Sequence, residues 1–277
     1  MPVKIRIGES VKGYNKLSHY CSLNTLSAIL SNRTWKCNRL DLLNDVYESK
    51  RLRIEKFAKD YFVACFCHSD YEIVPFWFNY GGNDNRNKVL LRLPNLSNTL
   101  KESIYDDYFI TSTSKKMYYD TRDNFVYKVG NISCILNENP EFDSRNAMQD
   151  IMLKDIEYLQ ADDPVFYKEY AKVEMTNAGK VNYCDIRSLG INKTRSWDYE
   201  KETRIICRLR INQTGEIEWI FLRLKDEFFE NMEIILNPWA DKEIYKEVIN
   251  IINNAQLNEN IVNTFRIEKS ELSGTLR

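Results

Sequence analysis

Two glutamates and an arginine occupy alternate positions in the last third of the chain, as Glu200, Glu202 and Arg204. An apolar run that is typical of a core strand begins directly after them. If the segment is extended, the three charged side chains lie on one face, and Trp197 and Tyr199 lie on the other. Carboxylates two residues apart on a strand lie about 7 Å apart, close enough to act on one ligand. This spacing is typical of an acid/base pair or of a pair that binds a sugar.

The same pattern also has a purely structural interpretation. A strand with the order Glu-x-Glu-x-Arg can present a solvated face that holds only an internal ion pair, because most charged residues of strands face solvent. The segment by itself leaves both interpretations open.

The composition bounds the class of protein. The chain has 277 residues, 43% hydrophobic and 29% charged, which suits one elaborated soluble domain or two modest ones. With a net charge of −1, the chain has no overall positive charge that would attract nucleic acid or a membrane surface. The seven cysteines are odd in number and show no spacing typical of a metal site, which predicts reduced thiols. Together with the lack of a recognisable signal peptide or transmembrane segment, this predicts a cytoplasmic protein. With only two histidines, a histidine-based metal site is not expected.

Hydrophobic patterning predicts the elements that would position a site. A strand over 16–22 leads into a helix capped by Ser22, which places His19 near the end of that strand. A central strand over 61–67 precedes a short aromatic helix that begins near Pro75 and carries Trp77 and Tyr80 on one face. An inserted, mainly helical segment is predicted at about 97–179. Because no Pro/Gly/Ser linker bounds it, we predict a single α+β domain over 1–277.

Other common catalytic arrangements find no support. Cys67 and His68 are neighbours in sequence, so on a strand their side chains would point to opposite faces. The chain has no G-x-S-x-G elbow, and Gly81-Gly82 lacks the lysine-serine step of a phosphate loop.

Several short blocks, taken in order along the chain, resemble a bacterial family known as domain of unknown function 2971. The blocks are His19-Tyr20-Cys21-Ser22, Leu43-Asn44-Asp45-x-x-Glu48, Ala64-Cys65-Phe66-x-x-Ser69, Phe76-Trp77-x-x-Tyr80, Val181-x-Tyr183, Trp197-x-Tyr199-Glu200-x-Glu202-x-Arg204, Glu233-Ile234-Ile235-Leu236 and Arg266-Ile267-x-x-Ser270. The N-D-x-x-E and W-x-Y-E-x-E-x-R blocks are the most specific. The chain departs from the family at Val46, where a proline is common, and at Phe76, where a methionine is common.

That family is similar to the ADP-ribosyltransferases, which have a split β-sheet that clamps NAD. The resemblance implies that Glu202 or Glu200 is catalytic and acts on the nicotinamide ribose. It implies that His19 and the adjoining Tyr20 contact NAD. It also implies that either Trp77 or Tyr80 stacks on the nicotinamide ring. It also assigns Asn44 and Arg204 to the NAD site, Arg204 keeping the carboxylates ionised. NAD would be a substrate, and no metal is implied.

The resemblance implies a glycosyltransferase that acts on NAD, as a bacterial toxin or anti-phage defence effector in the cytoplasm. By analogy within the fold, a nucleic-acid acceptor is favoured over a protein acceptor, and an antitoxin or inhibitor protein is an expected partner. Two alternatives remain at this point. One is an NAD glycohydrolase, with water as the acceptor, and the other is a binding module that has lost turnover.

Overall fold

The computed structural model describes the chain in segments. These are 4–48, 58–82, 84–94, 96, 104–113, 132–134, 148–163, 172–176, 179–183, 189–209 and 217–276. The described residues form many strands and few helices, with parallel and antiparallel pairs in the largest sheet. The predicted α+β class is confirmed.

Sixteen strands occur in the described residues. They are β1 (Lys4–Ile7), β2 (Lys16–Ser22), β3 (Thr34–Arg39), β4 (Tyr61–Cys67), β5 (Lys88–Pro94), β6 (Ile104–Thr113), β7 (Ile132–Cys134), β8 (Met148–Asp155), β9 (Glu157–Leu159), β10 (Lys172–Thr176), β11 (Gly179–Tyr183), β12 (Asn192–Thr194), β13 (Glu202–Leu209), β14 (Ile217–Leu224), β15 (Glu233–Leu236) and β16 (Arg266–Lys269). The α-helices of the same residues are α1 (Leu23–Asn32), α2 (Val74–Asn79), α3 (Lys242–Asn254) and α4 (Glu259–Val262).

The chain divides into two compact units, each built from several segments. Unit 1 comprises residues 1–8, 36–64 and 106–221, and unit 2 comprises residues 9–35, 65–105 and 222–277.

In unit 2, four neighbouring strands follow the order β16-β15-β5-β2. Strand β5 is antiparallel to β2 and to β15, whereas β15 and β16 are parallel. Helix α1 begins after Ser22, whose Oγ accepts a hydrogen bond from the backbone N–H of Thr25, as the sequence predicts. Helix α3 begins after Asp241 and buries Ile244, Val248 and Ile252, which its 3.6-residue period places on one face.

In unit 1, strand β8 lies between β1 and β13, parallel to the first and antiparallel to the second. A short parallel pair joins β9 and β12. After β12 the chain forms a 3-10 helix over Arg195–Glu200 and then enters β13. Glu202, the first residue of β13, therefore follows a tight helical turn.

The predicted elements around the candidate residues are confirmed. Strands β2 and β4, helix α1 and the short helix that contains Pro75 have the predicted positions. The mainly helical segment predicted at about 97–179 is wrong for the described residues of that range, whose regular elements are strands. In β8 the buried residues Ile151, Met152 and Leu153 are consecutive, so side chains on both faces of this strand are covered. Such a run does not alternate, so periodicity does not separate it from a helix.

Two consecutive glycines after helix α2 allow the close approach of Gly81 to the backbone of Cys21 to be tested. Gly81 and Gly82 have φ angles of +84° and +96°, but only at Gly81 would a Cβ atom meet backbone, 2.9 Å from the carbonyl carbon of Cys21. We expect Gly82→Ala to lower the free energy of unfolding by about 1–2 kcal/mol, because of its left-handed conformation alone. Gly81→Ala should cost about 1–3 kcal/mol more, because of the added clash. Urea unfolding of both variants measures the difference, and equal losses would contradict the close approach.

Candidate active site

The residues predicted from the sequence fall into two groups, one in each unit. Unit 1 contains Glu200, Glu202, Arg204 and Asn44, and unit 2 contains the aromatic residues and His19. Within unit 1 the structure brings the two glutamates and the arginine together.

The two glutamates do not alternate along one strand, which corrects the sequence-based geometry. Glu200 ends the 3-10 helix, Lys201 adopts a left-handed conformation with φ 46°, and β13 begins at Glu202. Both carboxylates nevertheless reach the same ammonium group. Lys193 Nζ lies 2.5 Å from Glu200 Oε2 and 3.3 Å from Glu202 Oε2. The turn at Lys201 thus produces the convergence that a straight strand was expected to give.

Arg204 lies between two glutamates. Its Nε and Nη2 atoms donate to the two oxygens of Glu202, at 2.6 and 2.9 Å. Its Nη1 and Nη2 atoms donate to the two oxygens of Glu48, the latter at 3.1 Å. Nη1 also donates to the backbone carbonyl of Gly190, at 3.1 Å. The guanidinium is therefore paired with each carboxylate through two hydrogen bonds, the geometry in which arginine binds carboxylates most strongly.

The whole cluster is buried. We call it the ion cluster and define it by Glu48, Lys193, Glu200, Glu202 and Arg204, which are between 0% and 4% exposed. Neither interpretation of the sequence anticipated this, since one expected a face open to a ligand and the other a solvated face. Over these five side chains alone, three carboxylates face two cations.

Electrostatics keep Lys193 charged within the cluster. Burial by itself lowers the pKa of Lys193, but the carboxylates of Glu202, Glu200 and Glu48 outweigh burial and raise it. The half-buried ring of Trp197 covers the ammonium, with Nζ 4.7 Å from the ring centroid. The Tyr158 hydroxyl accepts a hydrogen bond from the backbone N–H of Glu202, at 2.9 Å. Burial, together with the carboxylates of Glu202 and Glu200, raises the pKa of that hydroxyl.

The N-D-x-x-E block supplies the third carboxylate of the cluster. Asn44, the predicted NAD contact, is exposed, whereas its neighbour Asp45 is buried. Asp45 Oδ2 accepts hydrogen bonds from the backbone N–H and the hydroxyl of Thr194, at 3.1 and 3.0 Å. These bonds attach the loop that follows β3 to the end of β12, next to Lys193. The loop ends in a single 3-10 turn over Val46–Glu48, which places Glu48 against Arg204. The contacts of Asp45 with Thr194 and of Glu48 with Arg204 thus give the two acidic residues of the block a structural role.

His19 has a defined tautomer in unit 2. Its Nδ1–H donates to the backbone carbonyl of Cys65, at 2.9 Å, which makes Nε2 an acceptor while the ring is neutral. The ring also packs edge-on against Trp35, with centroids 5.0 Å apart. Burial lowers the pKa of His19, despite the opposing effect of the hydrogen bond to Cys65.

The aromatic residues of unit 2 are mostly core. The hydroxyl of Tyr20 accepts a hydrogen bond from the backbone N–H of Ile73, and its ring packs edge-on against Trp77, with centroids 4.9 Å apart. Trp77 is 0% exposed, and its Nε1–H donates to Glu72. Stacking on nicotinamide does not fit these buried positions of Tyr20 and Trp77. Tyr80 follows α2, is partly exposed and packs against Phe76, so it is the remaining candidate for stacking.

Sequence reasoning missed four polar residues that organise the two groups. Lys193 lies in a short polar segment that carries no motif, and Glu48 was noted only as part of a block. In unit 2, the buried Glu72 accepts hydrogen bonds from Trp77, from the hydroxyl of Ser270 and from the backbone N–H of Glu271. The fourth is Asp45, which reads as a turn residue. Their partners are distant in sequence, so a local pattern does not reveal them.

Within the described part of the chain, other features add little to the site. No group of three or more His, Cys, Asp or Glu side chains there could hold a metal ion. None of the α-helices among those residues is both long and apolar enough to cross a membrane. Two cavities of about 740 and 410 Å³ lie in unit 2, and none of the predicted site residues lines either of them.

Comparisons with known proteins give remote matches. No family model matches the chain, so the resemblance to domain of unknown function 2971 is not confirmed. No curated protein matches either. Among solved structures, the chain is similar to the DarT protein of Thermus sp. 2.9 in complex with NAD+, at 10% identity and a TM-score of 0.33, over 94% of this chain and 96% of the other. The same protein in complex with carba-NAD+ matches at 9% identity and a TM-score of 0.32, with the same coverage. At these TM-scores the likeness carries no argument about family or substrate.

Removing one carboxylate partner of Arg204 should lower the stability of the protein. We expect Glu48→Gln to lower the free energy of unfolding by about 3–5 kcal/mol, because it leaves a buried guanidinium with one carboxylate fewer. The same change at Glu247, which is exposed on α3, should stay within about 0.5 kcal/mol of wild type. Chemical denaturation monitored by circular dichroism provides both values. Similar small losses in the two variants would show that the ion cluster does not stabilise the fold.

The lowered pKa of His19 makes stability depend on pH. Above its usual value of about 6.5 the ring is neutral in both states and contributes nothing. As the pH falls below that value, the unfolded chain takes up a proton that folded His19 does not, so stability decreases toward the lowered folded pKa. We expect His19→Gln to lose less stability between pH 7 and pH 5 than wild type.

The control for this experiment is His68→Gln, which changes the other histidine of the chain. Unfolding free energies of the three proteins across the same pH range give the slopes to be compared. A slope for His19→Gln equal to that of wild type would rule out a buried neutral ring at this position.

Proposed function

We propose that this protein is an NAD-dependent ADP-ribosyltransferase. The observation that carries the proposal is the pair Glu200 and Glu202, whose carboxylates share the ammonium of Lys193 at 2.5 and 3.3 Å. Arg204 pairs with Glu202 through two hydrogen bonds, which favours its ionised form. The order of the sequence blocks along the chain also supports the proposal.

The chemistry requires an ionised carboxylate beside a sugar. When the bond between the nicotinamide nitrogen and ribose C1′ breaks, nicotinamide leaves with the bonding electrons and positive charge develops on the ribose. A fixed carboxylate stabilises that charge, and most strongly where water is excluded. In this proposal Glu202 acts on the ribose, and Glu200 orients the acceptor whose nucleophile then bonds to C1′. His19 and Tyr80 are proposed NAD contacts, on the resemblance alone.

Burial sets a condition on this mechanism. Glu200 and Glu202 are 3% and 4% exposed, so the ribose reaches them only if the covering residues move. Trp197 and Tyr199 lie on the 3-10 helix that carries Glu200, are half-buried and have ring centroids 6.3 Å apart. The ring of Trp197 covers the ammonium of Lys193, so its displacement is the movement that this mechanism requires.

The same burial favours a second candidate of another class. A cluster in which each cation is paired with carboxylates has the composition expected of a structural core, and such networks are common without catalysis. A binding module without turnover would keep the cluster for its fold alone. NAD glycohydrolysis differs from transfer only in using water, and the experiment below distinguishes it.

Incubation of the purified protein with labelled NAD and a cell lysate tests the proposal. Wild type should transfer label to a macromolecule, and Glu202→Gln should lower both transfer and nicotinamide release by about 100- to 1000-fold. Glu200→Gln should lower transfer but retain nicotinamide release, since it leaves the ribose carboxylate in place. Glu247→Gln is the matched control and should behave like wild type. Circular dichroism of each variant identifies losses that come from unfolding.

The outcomes separate the candidates. Release of nicotinamide by wild type without label transfer would indicate a glycohydrolase, and neither activity would favour the binding module. Full activity of a folded Glu202→Gln variant would contradict the assigned mechanism. Digestion of the labelled product with nuclease or protease identifies the acceptor, for which we propose a nucleic acid by analogy. A role as a cytoplasmic toxin or anti-phage effector restrained by an antitoxin belongs to the same proposal.

A further inference from the structure

Arg92 in strand β5 is a buried charge with unsatisfied hydrogen-bond donors. The residue is 5% exposed, and its Nε and Nη2 atoms have no hydrogen-bond partner in the described part of the chain. Among the described residues, Arg92 has an ion-pair contact with Glu233, but Nη1 lies 3.8 Å from Oε2, too long for a hydrogen bond. A buried guanidinium without close partners is costly, so a native structure that keeps one calls for an explanation.

The strand register places Arg92 in a row of side chains across unit 2. Directly paired residues share a face of a sheet, so Ser18 on β2, Arg92 on β5, Glu233 on β15 and Arg266 on β16 line up on one face. The pairing of Ser18 with Cys67 extends the row by one residue. Glu233 is therefore flanked by two arginines, and the row carries one more positive charge than negative.

Exposure increases along this row toward β16. Ser18 and Cys67 are 4% and 2% exposed, whereas the side chain of Glu233 is 19% exposed and Arg266 is exposed. Neighbouring strands of a sheet lie about 4.8 Å apart, and β5 and β16 are two strands apart. The Cα atoms of Arg92 and Arg266 are therefore separated by about 10 Å. Arg92 Nε and Nη2 are themselves buried, so an anion that approaches over Glu233 from the β16 side reaches them only if a covering side chain moves.

We propose that Arg92 anchors a binding site for an oxyanion, the carboxylate or phosphate group of a small ligand. The planar donors of a guanidinium match two oxygens of either group, and Nε and Nη2 are adjacent donors of the kind that bind them side by side. Arg266 supplies a second positive charge at the open end of the row. Glu233 opposes binding by repulsion and limits the affinity for anions.

This proposal is independent of the proposed transferase activity. It concerns residues of unit 2 only, and its test needs neither NAD nor an acceptor. Failure of one proposal therefore leaves the other unaffected.

Calorimetric titration of the full chain with inorganic phosphate and, separately, with acetate tests the site, with chloride at equal ionic strength as the control. Wild type should bind at least one of the two oxyanions, and the comparison identifies which group the site prefers. Glu233→Gln should bind that oxyanion about three- to tenfold more tightly, because it removes the repulsion of a partly exposed carboxylate. A merely structural role for Arg92 would not produce this gain.

Two substitutions of Arg92 complete the test. Arg92→Met should abolish oxyanion binding without loss of thermal stability, since an apolar side chain replaces an unsatisfied buried charge. Arg92→Lys should weaken binding, because it retains the charge but loses the paired donors. The proposal is wrong if neither wild type nor Glu233→Gln binds an oxyanion, or if a folded Arg92→Met variant binds as wild type does.

Discussion

The pairing of one fully buried arginine with two glutamates is the interaction on which the candidate active site depends. Arg204 is 0% exposed, and a guanidinium in that position stays charged, so its partners have to be supplied within the protein. Glu202 comes from the same strand, whereas Glu48 comes from a loop 156 residues earlier in the chain. The requirement to neutralise one charge therefore fixes the position of a distant loop.

That loop is held by a second polar contact of the same kind. The two hydrogen bonds from Thr194 to Asp45 attach it to strand β12, whose central residue is Lys193. Lys193 in turn joins Glu200 to Glu202. The two sequence blocks with the most specific patterns thus form one connected network in unit 1. Whether the network performs catalysis or only stabilises the fold, the same contacts hold it together.

The sequence predicted much of this arrangement and missed its three-dimensional logic. Strand β2, helix α1 and strand β4 follow from hydrophobic periodicity, because one residue pattern corresponds to one local structure. The convergence of Glu200 and Glu202 was predicted for the wrong reason, since the left-handed turn at Lys201 and not strand alternation produces it. The burial of the cluster was not predictable, because it depends on Lys193 and Glu48, whose contacts are long-range. Trp77, which the resemblance assigns to the NAD site, is an aromatic residue that lies in the core, and its burial depends on long-range packing that the local pattern does not show.

A double-mutant cycle between Glu48 and Arg204 measures the central interaction most directly. Unfolding free energies of wild type, Glu48→Gln, Arg204→Met and the double variant give the coupling between the two side chains. If the loop is fixed by this buried pair, the coupling should be about 2–3 kcal/mol, with the double variant far less destabilised than the sum of the single ones. Additive losses, within about 0.5 kcal/mol, would contradict the dependence of the site on this pair.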